Sequence, residues 1–342
     1  MITNLLILIG SLIILILGAE GLVRGASRLA LRLGISAFVV GITVVGFGTS
    51  APELAASLRS ATSGHPEIAL GNVVGSNIMN IALVLGLTAL MRPIPVSLKL
   101  VKRETIVVIL VSILPMIALF NGGVLSRWMG CLFVVLLVAF LYWTWRSSRT
   151  EGGAPEELEV AEIKPPTGAG SVLAELLLIV IGIVMLAYGA DLLVKSATNL
   201  ARAFGVSELV IGLTIVAGGT SAPELVTSLM AIYRGKADLS VGNILGSCVF
   251  NILGILGITV IVVPIEIPMS MFVFDIPLMA ILAFACLPIF FSGGRITRTE
   301  GAIMLGIWMA YTVLLYVGWP AKSLDADTAE SIQPPPSTTL SE

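Results

Sequence analysis

The sequence predicts an all-α polytopic membrane protein: ten transmembrane helices arranged as two inverted five-helix repeats, with broken helices at the midplane. Three observations predict this. The 342-residue chain is 57% hydrophobic and only 12% charged, with a mean hydropathy of +1.04, and soluble domains carry about twice that share of charge. Apolar stretches at 3–19, 105–120, 128–145, 172–190, 252–265 and 270–291 are each about long enough to cross a hydrocarbon core of ~30 Å, and none alternates as a barrel strand would. The chain also aligns with itself at an offset of 171: Gly18 with Gly189, Glu53 with Glu224, Asn72 with Asn243, Ser76 with Ser247 and Asn80 with Asn251. Roughly 35 identities fall in about 80 positions between residues 15 and 94 without a gap, which marks an internal duplication.

The N-terminal stretch MITNLLILIGSLIILILGAE has no basic start and no small-residue cleavage site, so it reads as the first spanning helix and not as a signal peptide. The first repeat, 1–147, carries helices at about 3–33, 37–62, 67–91, 101–120 and 124–147. Residues 148–170 are acidic, bear Gly and Pro, lack apolar periodicity and read as a linker. The second repeat, 171–319, carries helices at about 172–204, 208–234, 238–263, 270–291 and 296–318, and the tail 320–342 is disordered by composition. An odd number of spans per repeat inverts the second copy. With both termini outside, 14 of the 19 basic residues fall in inner segments, so the positive-inside rule puts the 148–170 linker in the cytoplasm and the protein in a plasma (inner) membrane. Inverted repeats with interrupted helices mark secondary transporters that bind substrate near the midplane.

The interruption is GFGTSAPE, 46–53, repeated as AGGTSAPE, 217–224. Pro52 lacks an N–H and crowds the preceding turn, which frees carbonyls around Gly46 to Thr49. In lipid, such groups need protein, a cavity or an ion. Freed carbonyls, the hydroxyls of Thr49 and Ser50 and the Glu53 carboxylate form an all-oxygen cluster suited to hard cations. Ala217, Thr220, Ser221 and Glu224 repeat it from the other side. The following helices, GNVVGSNIMN and GNILGSCVFN, add Ser76 with Asn80 and Ser247 with Asn251, each pair one turn apart on one face. Gly75 and Gly246 would let those faces approach another helix closely. Each glutamate lies about 16 residues into a helical stretch, and an ionised carboxylate at that depth costs several kcal/mol. Two such acids at equivalent positions argue for function over a kink with a snorkelling acid. They suit one divalent cation or several monovalent ones.

At these residues the chain resembles the sodium/calcium exchanger family of the cation/Ca²⁺ antiporter superfamily, in its short prokaryotic-type form. The resemblance covers about residues 10–320. It implies a ten-helix fold in which the long first helices of each half slide against a core of broken helices. It further implies that Glu53 and Glu224 hold Ca²⁺, shared with Na⁺. Gly46, Thr49, Ser50, Ala217, Thr220 and Ser221 would line Na⁺ sites, and Ser76, Asn80, Ser247 and Asn251 complete the cluster. Family members often have an acid where this chain has Asn80 or Asn251. The Na⁺:Ca²⁺ ratio and a role for K⁺ or H⁺ are therefore left open.

Elsewhere plainer readings apply. Glu20 with Arg24 and Asp191 with Lys195 read as i,i+4 interfacial pairs, Asn72 and Asn243 as interhelical hydrogen-bond partners, His65 as a loop residue and Cys248 as packing. Tyr142, Trp143, Trp145, Trp308, Tyr311, Tyr316 and Trp319 read as an interfacial belt. No HExxH, GxGD or intramembrane Ser/His pair points to an enzyme, no cofactor is called for, and a net charge of −2 argues against nucleic acid. The expected partners are Ca²⁺, Na⁺ and the lipid bilayer, and a monomer would suffice. The expected activity is Na⁺/Ca²⁺ antiport by alternating access around Glu53 and Glu224, with Ca²⁺/H⁺ antiport through the same glutamates as the alternative.

Overall fold

The computed structural model describes residues 1–150, 169–205, 217–291 and 293–317. The linker core, most of the segment expected to open the 208–234 helix, and the C-terminal tail lie outside the described residues. Helix α1 (Ile2–Leu33) ends on Gly34, whose φ of 64° is left-handed and whose N–H bonds back to Ala30 and Leu31. Ser36 then caps α2 (Ala37–Thr49), its Oγ accepting from Val39 N at 3.3 Å. The chain breaks at Ser50 and resumes as α3 (Ala51–Thr62), bent by 41° from α2. Then come α4 (Pro66–Met91), α5 (Leu98–Ile113, tightening to a 3₁₀ stretch over Leu114–Asn121) and α6 (Arg127–Thr150). In the second half are α7 (Ala169–Ala203), α8 (Ala217–Thr220), α9 (Ala222–Tyr233), α10 (Ala237–Val262), α11 (Met271–Phe291) and α12 (Arg298–Val317).

Among the described residues eight helices are long and apolar enough to cross a membrane, or nine if α2 and α3 form one span. The remaining expected span, 208–234, is described only from Ala217. Two expectations need correction. The structure is not purely α: β1 (Ile94–Pro95) pairs antiparallel with β4 (Arg295–Ile296), and β2 (Val124–Leu125) with β3 (Ile265–Glu266). Helices expected to start at 124 and 296 therefore start at Arg127 and Arg298. The neighbouring Pro93, Pro95, Gly122-Gly123, Pro264 and Gly294 stop the helices, and the extended residues satisfy their backbone groups by pairing.

These strands fix how the halves face. β1 and β3 correspond at the offset of 171, as do β2 and β4, yet each strand pairs with the other type. Helix α5 separates β1 from β2, and at 1.5 Å per residue it carries the chain about 30 Å. Equivalent strands therefore sit at opposite ends of the bundle.

Close helix crossings use glycine. In α1 and α7, a Cβ on Gly182 would lie 2.7 Å from Leu22 N and 2.8 Å from the Gly18 carbonyl, so these two long helices meet through backbone, as small residues permit in lipid. They share an apolar cluster, with Leu15, Leu22, Ile179 and Leu186, that is separate from the larger core built on α4, α5, α6, α10, α11 and α12. The half-buried Arg32–Glu175 ion pair ties them further, with Arg32 Nε 3.0 Å and Nη2 3.1 Å from the two carboxylate oxygens. The expected Glu20–Arg24 and Asp191–Lys195 pairs form. Glu20 also reaches Arg234, beyond the end of α9; the position equivalent to Arg234 in the first half is Ser63, so Asp191 meets no such counterpart.

Candidate cation site

Ser50 and Ser221 adopt almost the same backbone, φ −83° with ψ 4° and φ −89° with ψ 7°, each just outside the helix that follows. Proline at the second helical position tolerates this start because its N–H would have no partner there. Glu53 and Glu224 follow in the first turns of α3 and α9, where the helix dipole favours a carboxylate. Both are buried, at 1% and 0% exposure.

The two halves interlock at this point. Ser50 Oγ donates to Glu224 Oε1 at 3.0 Å, and Ser221 Oγ donates to Glu53 Oε1 at 3.3 Å. Ser221 Oγ also reaches Ser76 Oγ at 3.4 Å. Each glutamate is within interaction range of the other, and the second oxygen of each, Oε2, has no hydrogen-bond partner among the described residues. Buried polar atoms are seldom left this way. Two neighbouring buried acids, each with one oxygen unpartnered among the described residues and with neutral serine oxygens beside them, make a donor set that fits a hard cation.

Asn72 and Asn243 form interhelical hydrogen bonds, as expected, and these reach the helices that carry the glutamates. Asn72 Nδ2 donates to the Glu53 carbonyl at 3.3 Å and to Ser57 Oγ at 3.0 Å; Asn243 Nδ2 does the same to the Glu224 carbonyl at 3.5 Å and Ser228 Oγ at 3.0 Å. Thr49 Oγ1 approaches Asn243 Oδ1 at 3.1 Å and Ser247 Oγ at 3.4 Å. The Gly46 carbonyl is not freed as expected. The proline removes a bond to Gly48, four residues back, and leaves Gly46 O accepting from Ser50 N at 3.2 Å and Ser247 Oγ at 3.3 Å. Thr220, half-buried, closes α8; Ala217 opens it, and its side chain lies outside the described residues. Asn80 and Asn251 stand in π-helical turns, Asn80–Leu85 and Phe250–Leu256, a geometry often found at functional sites and without an obvious signal in sequence.

Gly246 packs as anticipated, its absent Cβ leaving Ile42 O only 2.4 Å away. An added Cβ on its equivalent, Gly75, has nothing within 4 Å among the described residues. Three polar residues were missed. Asn77 accepts from Asn251 Nδ2 at 2.9 Å and donates to the Cys248 carbonyl at 3.2 Å. Glu104 and Asp275, equivalent at 171, are both buried in spans. Arg103 Nη2 meets Glu104 at 2.6 Å, and Tyr311 Oη meets Asp275 at 2.9 Å. Tyr311 is thus a buried partner, not a belt residue; the spacing of the two acids was the signal available. His65 is exposed and Cys248 buried, as expected, while Trp319 lies outside the described residues.

Comparison with known proteins agrees with the duplication. The family model described as sodium/calcium exchanger protein matches twice, at 3–146 and 174–317, and the starts and ends of the matches are each 171 apart. A putative antiporter CaxA of Alkalimonas amylolytica is 39% identical over 323 residues, covering 92% of this chain and 99% of its own. The sodium/calcium exchanger MaX1 of Methanosarcina acetivorans is 30% identical over 344 residues, covering 92% and 98%. A solved structure of the sodium-calcium exchanger NCX_Mj, soaked with Na⁺ and Ca²⁺, matches with a TM-score of 0.77 at 30% identity over 91% of this chain and 97% of that one.

Proposed function

The chain belongs to the sodium/calcium exchanger family, a family of multi-pass membrane antiporters, and from that premise we propose that it exchanges Na⁺ for Ca²⁺ by alternating access around Glu53 and Glu224. One observation carries the reading: two buried glutamates from opposite halves, each held by the other half's serine, each with an oxygen left without a hydrogen-bond partner among the described residues. Ca²⁺ takes 6–8 oxygens. The glutamates supply its charge, and Ser50, Ser221, Ser76, Asn80, Ser247 and Asn251 supply neutral oxygens around it. Na⁺ competes at the same glutamates and at Gly46, Thr49, Ala217 and Thr220. A pair of acids that one Ca²⁺ or several Na⁺ can neutralise, but not both at once, couples the two fluxes.

The proposed architecture is ten spans in two inverted repeats, supported by equivalent strands at opposite ends of the bundle. Both termini are placed outside and the 148–170 linker in the cytoplasm, from the distribution of basic residues. The α1–α7 pair is the moving unit in this reading, because the two helices pack closely on each other through glycine and meet α2, α9 and α10 through a smaller apolar cluster apart from the larger core. The repeats are 1–147 and 171–319. No enzymatic activity is proposed, and a monomer holds the whole site.

The test is Ca²⁺ uptake into proteoliposomes under an imposed Na⁺ gradient, set against a pH gradient of equal size. Na⁺-driven uptake that Glu53→Gln abolishes is the expected result. Uptake driven by the pH gradient alone would replace Na⁺ with H⁺ as the counter-ion, and Na⁺-independent uptake surviving Glu53→Gln would refute the proposal.

A further inference from the structure

The two asparagines of the site are equivalent in sequence and unequal in surroundings. Asn251 Nδ2 donates to Asn77 Oδ1 at 2.9 Å, and Asn77 Nδ2 donates to the Cys248 backbone carbonyl at 3.2 Å. A backbone carbonyl only accepts, so the Asn77 group facing it must be the NH₂. The Asn77 oxygen then faces Asn251 and must be met by the Asn251 NH₂. The Asn251 carbonyl oxygen is consequently turned the other way, buried and without a hydrogen-bond partner among the described residues. This polarity follows from the network and needs no assumption about which amide atom is which.

The first half has no such relay. At the offset of 171, Asn77 corresponds to Cys248. The Cys248 thiol stands within interaction range of the Asn80 side chain, but a thiol is only a weak donor and weak acceptor, and neither amide atom of Asn80 makes a well-formed hydrogen bond among the described residues. All of Asn77, Asn80, Cys248 and Asn251 are buried. The π-turn of Asn251 packs against α3, which carries Glu53.

We propose that Asn77 is a positioning residue for the ion site: it relays the fixed polarity of the Cys248 carbonyl to Asn251 and commits the Asn251 side chain to present oxygen, not N–H, to the cation. Asn80 lacks that constraint and is the adaptable amide of the pair. A flipped Asn251 would aim N–H groups at a cation and remove a ligand. Asn77 itself touches no ion, and its substitution acts on cation affinity through orientation. The inference rests on the Na⁺/Ca²⁺ exchange reading above.

The test is a four-way comparison of Ca²⁺ uptake in proteoliposomes: wild type, Asn77→Ala, Asn251→Asp and the double variant. A carboxylate offers oxygen in either orientation, so Asn251→Asp has no need of the relay. An interhelical hydrogen bond in lipid contributes about 1–2 kcal/mol, so Asn77→Ala should raise the KM for Ca²⁺ roughly five- to thirtyfold with Asn251 present. In the Asn251→Asp background the same change should shift KM by less than about twofold, with kcat moving little in either. An equal loss in both backgrounds would make Asn77 a packing residue and overturn the proposal, as would an unchanged KM with Asn251 present. If Asn251→Asp does not transport, the same comparison is read from the Ca²⁺-induced rise in Tm of the four purified proteins. Absence of Na⁺-driven uptake by the wild type would sink the exchange reading, and the relay with it. A normal wild type with no coupling between positions 77 and 251 sinks the relay alone.

Discussion

Replacing Gly246 with alanine tests whether the site depends on the backbone contact between α2 and α10. The new Cβ would stand 2.4 Å from Ile42 O and 2.7 Å from Ile42 Cα, all backbone, where side-chain contacts begin to be tolerated near 3.0–3.4 Å. No rotamer relieves this, so the two helices must part by roughly 0.6–1 Å, and overpacking of this kind costs about 1–3 kcal/mol. The same displacement falls on neighbouring bonds that are already long. Ser247 Oγ to Gly46 O is 3.3 Å and Thr49 Oγ1 to Ser247 Oγ is 3.4 Å; both would open to about 4 Å and be lost at about 1 kcal/mol each. Together these give ~3–5 kcal/mol. In thermal unfolding of the purified protein, Gly246→Ala should lower Tm by several degrees, and its Ca²⁺ uptake should collapse. Gly306→Ala, on an exposed face of α12 with nothing within 4 Å of the added carbon, should leave both unchanged. A Gly246→Ala protein with wild-type Tm and wild-type uptake would refute the claim that α2 and α10 touch here through backbone.

Glu224→Gln keeps the shape of the side chain but removes half the negative charge of the site, so Ca²⁺ uptake should fall at least ~100-fold while Tm without Ca²⁺ holds or rises, since a buried ionised group is itself costly. Asn243→Ala removes the donor to Ser228 Oγ and the Glu224 carbonyl and the partner of Thr49; a loss of about 2–3 kcal/mol should appear as a lower Tm together with a raised KM for Ca²⁺. Tyr311→Phe strips the hydroxyl from buried Asp275, at about 1–3 kcal/mol. Uptake per folded molecule should be retained, and Asp275→Asn in the same protein should recover part of the lost Tm.

The fold was legible because lipid leaves few alternatives. Runs of apolar residues must be helices, and the offset of 171 carried one half's pattern onto the other. GTSAPE could be read as a broken helix with a buried acid because proline and glutamate each carry a definite physical cost in a span. The detail of the break was less accessible. Pro52 suggested carbonyls freed from Gly46 onward, but the helix runs intact to Thr49 and concentrates the change at Ser50. The π-helical turns at Asn80 and Asn251 depend on packing between halves, which no local pattern encodes. Asn77 shows in sequence only as an asymmetry against Cys248, and its role is hidden for a related reason. Its partners, Cys248 and Asn251, are distant in sequence, and its own equivalent is a cysteine, so the repeat comparison diluted the signal that had exposed everything else. Tyr311 reads in sequence as one more aromatic near a span end, because its partner Asp275 lies on another helix.

The short strand pairs bear on how the protein is made. Ile94–Pro95 and Val124–Leu125 emerge from the ribosome long before Arg295–Ile296 and Ile265–Glu266, which complete them. The half synthesised first must therefore enter the bilayer with two extended edges unmatched and with Ser50 and Glu53 awaiting the residues that bond them. Stabilising pairs join the halves at both ends and at the centre, so neither half is a finished unit. A chain truncated near residue 150 should remain a substrate for quality-control proteases, and adding the second half as a separate polypeptide should rescue it.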